Sequence, residues 1–564
     1  MKKILSIALA FIMLFTLVAC RSGETENNSN SGTSSGSNAG SSSGNASGNT
    51  SGSASGNASG AASGGASSGT NDLKVFYYGS DVNSPIFDPV TEMQTDSGYF
   101  LKQAAAETMW KTDENGNIVK YLLAESAEWT DDLTLTIKLR DGVKFHNGNP
   151  LTAEDVLFTL EYTAASMRTR DMVARVDFDN IVIEDDHLTI HIPFTDYDAV
   201  FISTFGAHSY CIIDKETYDE DPGFSWFNGT GPYRLAGDGK TDMSGWVESV
   251  HYYLVRNENY WGDAPYYDEI YCKFYSEEST RYAELMAGNL DAATFSNTTY
   301  LNNLGNGAVP NARLVINEMG GAFGITTSFN PEKSNGSLTD INIRKAIAHG
   351  IDIRAIIENL GEGVYPLATS IVGEGCWAYQ NVGVYEYNPE LAAQYLAEAG
   401  YSTANPLTLR LLCETNYPFY VTIAEAVQAY LLPIGINVDL SGIGEFSTIL
   451  PLLLASELEI GIRGPTNHVS MDPGNLLQQM APSAVGMTSV DDSRLSELFL
   501  AGISERDQNK RLEIYKEFQQ RVHDLYIFIP IYIETLGYGV LDKHQSFENA
   551  LDSSLMFNPC LLTD

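Results

Sequence analysis

A mixed α/β (α+β) fold is predicted by three observations: apolar residues at period 2, apolar stripes at helical spacing, and the alternation of the two along the chain beyond Asn71. Leu133, Leu135, Ile137 and Leu139 alternate with Thr134, Thr136 and Lys138, the pattern of a half-buried strand. Asp141-Gly142 turns the chain. Val143, Phe145 and the Asn147-Gly148 turn then close a small hairpin, and Pro150 stops the strand. Thr152 with Asp155 forms a capping box, which opens a helix from about Ala153 to about Ala165. Asn388 and Pro389 supply the N-cap and first position of another helix, which Gly400 ends. Helical spacing continues through Ile423, Val427 and Leu431 to Gly435, after which Ile436–Leu440 reads as a strand. A charged helix over 505–524 leads into a buried strand, Ile527–Ile533, in which Pro530 marks an irregularity. No repeat recurs at a fixed period of 20–50 residues.

The 564 residues suffice for two or three domains. Asp and Glu number 72 against 33 Lys and Arg, a formal charge of -39, which argues against a nucleic-acid partner because phosphate binding needs clustered cations. Aromatic residues make up 11% of the chain, with 31 tyrosines, whose rings offer contact area at low entropic cost.

The N-terminus carries an export signal. Lys2 and Lys3 precede an apolar run over 4–18 that is shorter than the roughly 20 residues a spanning helix needs. Leu17-Val18-Ala19-Cys20 closes it as a lipobox, so 1–20 is read as a lipoprotein signal peptide with Cys20 the lipidated residue. Residues 21–70 are almost all Ser, Gly, Asn, Ala and Thr, a flexible tether spanning roughly 35–40 Å. The expected location is the outer face of the cell membrane, or its periplasmic side where an outer membrane exists, with lipid as the sole membrane contact.

Catalytic and metal motifs are missing. Gly237-Asp238-Gly239-Lys240-Thr241 ends like a phosphate-binding loop, but Arg234 stands where that loop needs glycine. Gly32–Gly36 spells a nucleophile elbow with neither the strand before it nor the helix after it. His187 and His191 fall in an alternating strand pattern that holds them about 13 Å apart, too far to share zinc. No cofactor and no metal site is expected. Apart from Cys20 the cysteines are Cys211, Cys272, Cys376, Cys413 and Cys560, an odd set without CxxC spacing; one disulfide or small buried hydrophobes both fit.

Residues 122–162, LLAESAEWTDDLTLTIKLRDGVKFHNGNPLTAEDVLFTLEY, resemble the signature segment of the extracellular solute-binding proteins of family 5, the oligopeptide- and dipeptide-binding group. Further segments resemble that family in order: NGTGPY at 228–233, RNENYWGDAPYYDEI at 256–270, RYAELMAGNLD at 281–291, the stretch 328–357, and YNPELAAQYLAEAGYS at 387–402. The resemblance covers roughly residues 72–564. It implies a two-lobed periplasmic-binding-protein fold of type II with an extra subdomain. Lobe one would take 71–312 and 527–564, with the insertion near 90–210; lobe two would take 313–526. The chain would cross between lobes near Arg313–Asn317 and Tyr526–Ile531, forming a hinge.

That resemblance implies a binding protein and no enzyme: a monomeric subunit that hands an oligopeptide, or another small solute such as a sugar, metal chelate or haem, to an ABC permease and its ATPase. A solute sensor and a secreted hydrolase are the alternatives from other classes. The family's peptide binders place an aspartate three residues before an acidic-Pro pair to hold the peptide ammonium; here the pair is Asp472-Pro473 and that residue is Val469. Arg463, Asn467, His468 and Asp472 are the local candidates for ligand contact. By the same resemblance Tyr78, Ser80, Asp81, Thr230, Met319, Gly320 and Phe323 would line the cleft, and Trp377 would cover it.

Overall fold

The computed structural model describes residues 73–564 apart from 81–95, 114, 167–168, 208–209, 221–227, 238–241, 243, 329–335, 361–363, 416–417, 446–447, 450, 453–458, 465–471, 482–489 and 552–556. The chain starts with β1 (Val75–Ser80) and α1 (Asp96–Ala105). A segment built on its own core follows: the hairpin β2 (Trp110–Thr112) and β3 (Ile118–Tyr121), then β4 (Ala124–Trp129), β5 (Thr134–Leu139), α2 (Ala153–Ala165), β6 (Val182–Ile183), β7 (Thr189–Pro193) and α3 (Phe201–Phe205). Its four-stranded sheet runs β4-β5-β7-β6, antiparallel throughout. Leu135, Ile137 and Leu139 of β5 are fully buried beside Val156 and Leu160 of α2; each such side chain contributes about 1.5–3 kcal/mol. The Asp155 carboxylate accepts from the Thr152 amide and hydroxyl, both at 2.8 Å, and its other oxygen takes the Lys215 amide at 2.9 Å, so the capping box also ties α2 to the start of the helix Lys215–Glu220.

Two sequence expectations need correction here. Leu133 lies outside β5, 39% exposed, because Asp131 holds its amide in a turn. His187 lies outside β7 too. It sits at φ +57 in the preceding turn, with Nδ1 2.6 Å from Glu154, while His191 stays in the strand against Thr136 at 2.8 Å.

After α4 (Lys215–Glu220) come β8 (Tyr233–Leu235), β9 (Trp246–Val247), β10 (His251–Arg256), β11 (Glu269–Phe274), α5 (Glu278–Met286), β12 (Ala292–Phe295), α6 (Thr298–Gly305) and the 16-residue β13 (Ala312–Thr327). The remainder is α7 (Ile341–Gly350), α8 (Ile353–Leu360), α9 (Pro389–Glu398), β14 (Leu407–Glu414), α10 (Pro418–Leu431), β15 (Ile436–Gly444), β16 (Ile460–Arg463), α11 (Pro473–Leu477), α12 (Ser493–Ser504), α13 (Gln508–Asp524) and β17 (Phe528–Leu541). The Asn388 side chain caps α9 by accepting from the Leu391 amide, and Gly400 ends it at φ +89. Asp507 caps α13 through the Lys510 amide, which starts that helix three residues later than its charge pattern suggests.

β17 runs 14 residues, beyond the apolar stretch that announced it. Thr535, Gly537 and Gly539 hid the continuation. A Cβ at Gly537 would stand 2.2 Å from Leu301, and one at Gly539 2.6 Å from Leu285, so these glycines let α5 and α6 settle onto the strand. Pro530 faces Gly324 at a register shift, as its missing amide requires.

Among the described residues the large sheet runs β15-β14-β16-β13-β17-β12-β1-β11-β10-β8, with β9 on β10. β11, β1 and β12 are parallel, as are β15, β14 and β16. Between these sets β13 and β17 form one antiparallel ribbon. Among the described residues Cys211, Cys272, Cys376, Cys413 and Cys560 form no disulfide.

Candidate functional site: facing strand ends across a two-stranded ribbon

Strand register locates the site. Phe295, the last residue of β12, lies opposite Gly537, so the parallel set containing β1 points its carboxyl ends toward the middle of the ribbon. Arg463, the last residue of β16, lies opposite Gly324, which pairs with Pro530, so the other parallel set points toward the same middle from the opposite end. The ribbon between Pro530 and Gly537 is about 23 Å long at 3.3 Å per residue. Carboxyl ends of parallel strands are where open α/β sheets take ligands; here two such edges face each other over a common floor.

Ser80 ends β1 at this edge, fully buried, and its hydroxyl has no hydrogen-bond partner among the described residues. Tyr78 is buried two residues earlier. Its hydroxyl donates to Asp96 at 2.7 Å, Thr294 donates to the same carboxylate at 3.0 Å, and its ring stacks on Phe100 at 4.8 Å. Burial and the neighbouring carboxylate hold that phenol well above its usual range, so it stays a neutral donor. Tyr78 thereby fastens α1 to β1 and β12. Thr230 is buried away from this edge beside Glu107, whose carboxylate accepts from Tyr260 at 2.8 Å and Trp261 at 2.9 Å. The glycines flanking Thr230 lie on the α1 backbone: a Cβ at Gly229 would meet the Ala105 oxygen at 2.0 Å.

Met319 and Gly320 fall on the floor, where β13 and β17 shift register between Glu318 and Ala322. Next to them Phe323 stacks on Tyr420 at 4.1 Å and lies 5.2 Å from Tyr532. Tyr365 and Phe419 extend the group, and the Tyr365 hydroxyl donates to the Ser296 carbonyl at 2.9 Å, just past the end of β12. Four of these five rings escaped the sequence reading because they come from separated segments.

Trp377 packs over Arg511, 5.3 Å from its guanidinium, and against Tyr515. Arg511 donates to both oxygens of Asp472, at 2.8 and 3.0 Å, to the Tyr515 hydroxyl at 3.2 Å, and through Nε to the Gly502 carbonyl at 3.0 Å. Burial opposes its charge; Asp472 and Tyr515 outweigh burial and hold the guanidinium above its usual range. Asp472 also caps α11 through the Gly474 amide at 2.8 Å. Its carboxylate is therefore already neutralised and oriented from within the protein. Cys20, Asp81, Asn467, His468 and Val469 lie outside the described residues.

A second line of contacts joins the inserted segment to α11–α13. The Ala199 amide and Arg175 both donate to the Ile503 carbonyl, at 2.8 and 3.2 Å, and Arg175 also reaches the Ser504 hydroxyl at 3.0 Å. Arg506 lies 3.7 Å over the Tyr197 ring, and Asn475 donates to Thr204 at 2.9 Å. In this seam the Asp198 carboxylate accepts from the Val200 and Phe201 amides at the start of α3; burial, helped by Asp472, pushes its pKa up to about 6.

The comparisons agree with this architecture. The heme-binding protein A of Haemophilus influenzae is 27% identical over 492 residues, 81% of this chain and 86% of that protein. The dipeptide-binding protein of Escherichia coli is 25% identical over 472 residues, 76% of this chain and 85% of its own length. Among solved structures, the periplasmic binding protein DppA of Helicobacter pylori, an ABC-transporter-associated protein in complex with the peptide STSA, superposes with a TM-score of 0.71 at 23% identity, covering 87% of this chain and 97% of that one. The fold is thus the two-lobed periplasmic-binding-protein fold, and the relatives are substrate-binding proteins rather than enzymes. Residues 119–486 match the family model for bacterial extracellular solute-binding proteins, family 5 (middle part), and the chain belongs to that family of ABC-transporter binding proteins.

Proposed function

We propose that the protein is the lipid-anchored binding subunit of an ABC importer, and that it closes its lobes over an oligopeptide and delivers it to the permease. The observation that carries this reading is the pair of strand-end edges facing each other across one ribbon, because a solute between them touches both lobes only when they close, and that difference in affinity drives closure. In this reading β13 and β17 are the hinge, with lobe one over 71–312 and 527–564, lobe two over 313–526, and Cys20 carrying the lipid.

Two measurements test it. Small-angle scattering of the 71–564 fragment is expected to give a smaller radius of gyration at saturating ligand; an unchanged profile with binding established by calorimetry removes clamp closure. Palmitate labelling is expected to vanish in Cys20→Ala, and label retained there removes the anchor assignment.

A non-peptide solute is the second reading, and a specific observation favours it. Asp472 is spent on Arg511 and the expected ammonium anchor is Val469, so the acid that a buried ammonium needs is not supplied at this turn. Thermal-shift screening against peptides, sugars, nickel chelates and haem separates the readings, because a ligand of the native state raises the melting temperature by mass action. Stabilisation by peptides confined to those with a free amine supports an ammonium anchor elsewhere in the cleft; stabilisation by non-peptides alone overturns the peptide reading and leaves the importer reading intact.

A further inference from the structure

On the other side of α1, away from the facing strand ends, a cavity of about 800 Å³ opens between α1, the β2–β3 hairpin, the loop before β11 and the C-terminal residues. That volume lies within the range of small-molecule sites. In a chain of net charge -39 its lining is unusual, for Lys102, Lys111, Lys120 and Arg140 converge there. Lys102 is only 6% exposed. The acids among the lining residues are Glu107 and Asp263; Glu107 gives both oxygens to Tyr260 and Trp261, while Asp263 stands exposed at the rim. Arg140 is fixed in place. Its Nε donates to the Leu122 carbonyl at 3.0 Å and its guanidinium lies 4.4 Å over the Trp261 ring. Among the described residues no ion pair takes Arg140 or Lys120, and Glu125, the carboxylate that acts on Arg140 through space, is itself paired with Lys138 at 2.7 Å.

We propose that this cavity is a second binding site, for a small organic carboxylate with a flat apolar body, in which Arg140 and Lys111 meet the carboxylate and Tyr121, Tyr260 and Trp261 flank the body. A planar guanidinium pairs with a carboxylate through two parallel N–H···O bonds, and a ring-stacked one gives up little freedom in doing so. The rings supply apolar contact at low entropic cost. The site is independent of the cleft, because none of its lining residues lies on the ribbon or at the facing strand ends.

Calorimetric titration of the full chain at low ionic strength with benzoate, and with benzamide as its uncharged isostere, tests the proposal. Benzoate is expected to saturate one site and benzamide to give no heat. Arg140→Gln is expected to weaken benzoate at least tenfold, and Lys120→Gln, an exposed change that leaves packing untouched, severalfold. Absence of benzoate binding overturns the proposal, as does equal affinity for benzamide. Unchanged affinity in both Lys120→Gln and a folded Arg140→Gln does the same. Binding lost in Trp377→Ala but kept in Arg140→Gln would move benzoate to the cleft, which sinks this site without touching the importer reading.

Discussion

Removing the guanidinium of Arg511 would leave the Asp472 carboxylate buried and uncompensated, and Arg511→Ala is expected to lower unfolding free energy by about 3–5 kcal/mol in urea denaturation. The paired change Arg511→Met with Asp472→Leu should cost less than either truncation alone, since no charge is then stranded. Asp198 makes a pH prediction. Its folded-state pKa, raised to about 6, means that the folded protein binds the proton more tightly than the unfolded chain. The stability this contributes is complete below the ordinary carboxylate range and is lost as pH rises through about 6. Unfolding free energies from urea denaturation are expected to decline by roughly 2–3 kcal/mol between pH 4 and 6 on this account, and Asp198→Asn, which can still accept the Val200 and Phe201 amides, should lessen that decline. Arg511 was half legible in the sequence: Arg511, Tyr515, Phe518 and Val522 recur at helical spacing, a cation on an apolar stripe. Its partner stands 39 positions away, a pairing fixed only by how α11 packs on α13.

Elements whose ends carry their own chemistry were readable in advance. The capping box of α2 and the Asn388 cap of α9 satisfy backbone amides locally, so no distant packing is needed to place them. β17 was not readable past Ile533, because its glycines answer to α5 and α6, which precede it by more than two hundred residues. The facing strand ends escaped for the same reason; only register across β12, β13, β16 and β17 reveals them. The turn around Thr230 tests a glycine demanded by close approach. Gly229→Ala would drive a Cβ into the Ala105 carbonyl, and a loss of about 1–3 kcal/mol in thermal or urea unfolding is expected.

At the scale of the molecule, the seam between the inserted segment and α11–α13 spans the two halves of the sheet outside the ribbon. Arg175→Ala deletes two hydrogen bonds of that seam, and with Arg506→Ala it is expected to raise the radius of gyration in scattering and to speed ligand release, while the melting temperature of each half changes little. A consequence of the ribbon concerns the order in which the chain is made. The core around β1 gathers Phe76, Tyr78 and Phe100 with Tyr538, Val540, Phe547, Phe557 and Leu562, so residues from both ends of the described chain must be present before it closes. A chain still emerging from a ribosome lacks the second set until Leu562 has been made. Nascent chains stopped before Phe528 are therefore expected to stay protease-sensitive over β1, α1 and β8–β12, while the inserted segment, whose buried core draws only on Met109–Ile212, is expected to gain protection as soon as those residues have emerged.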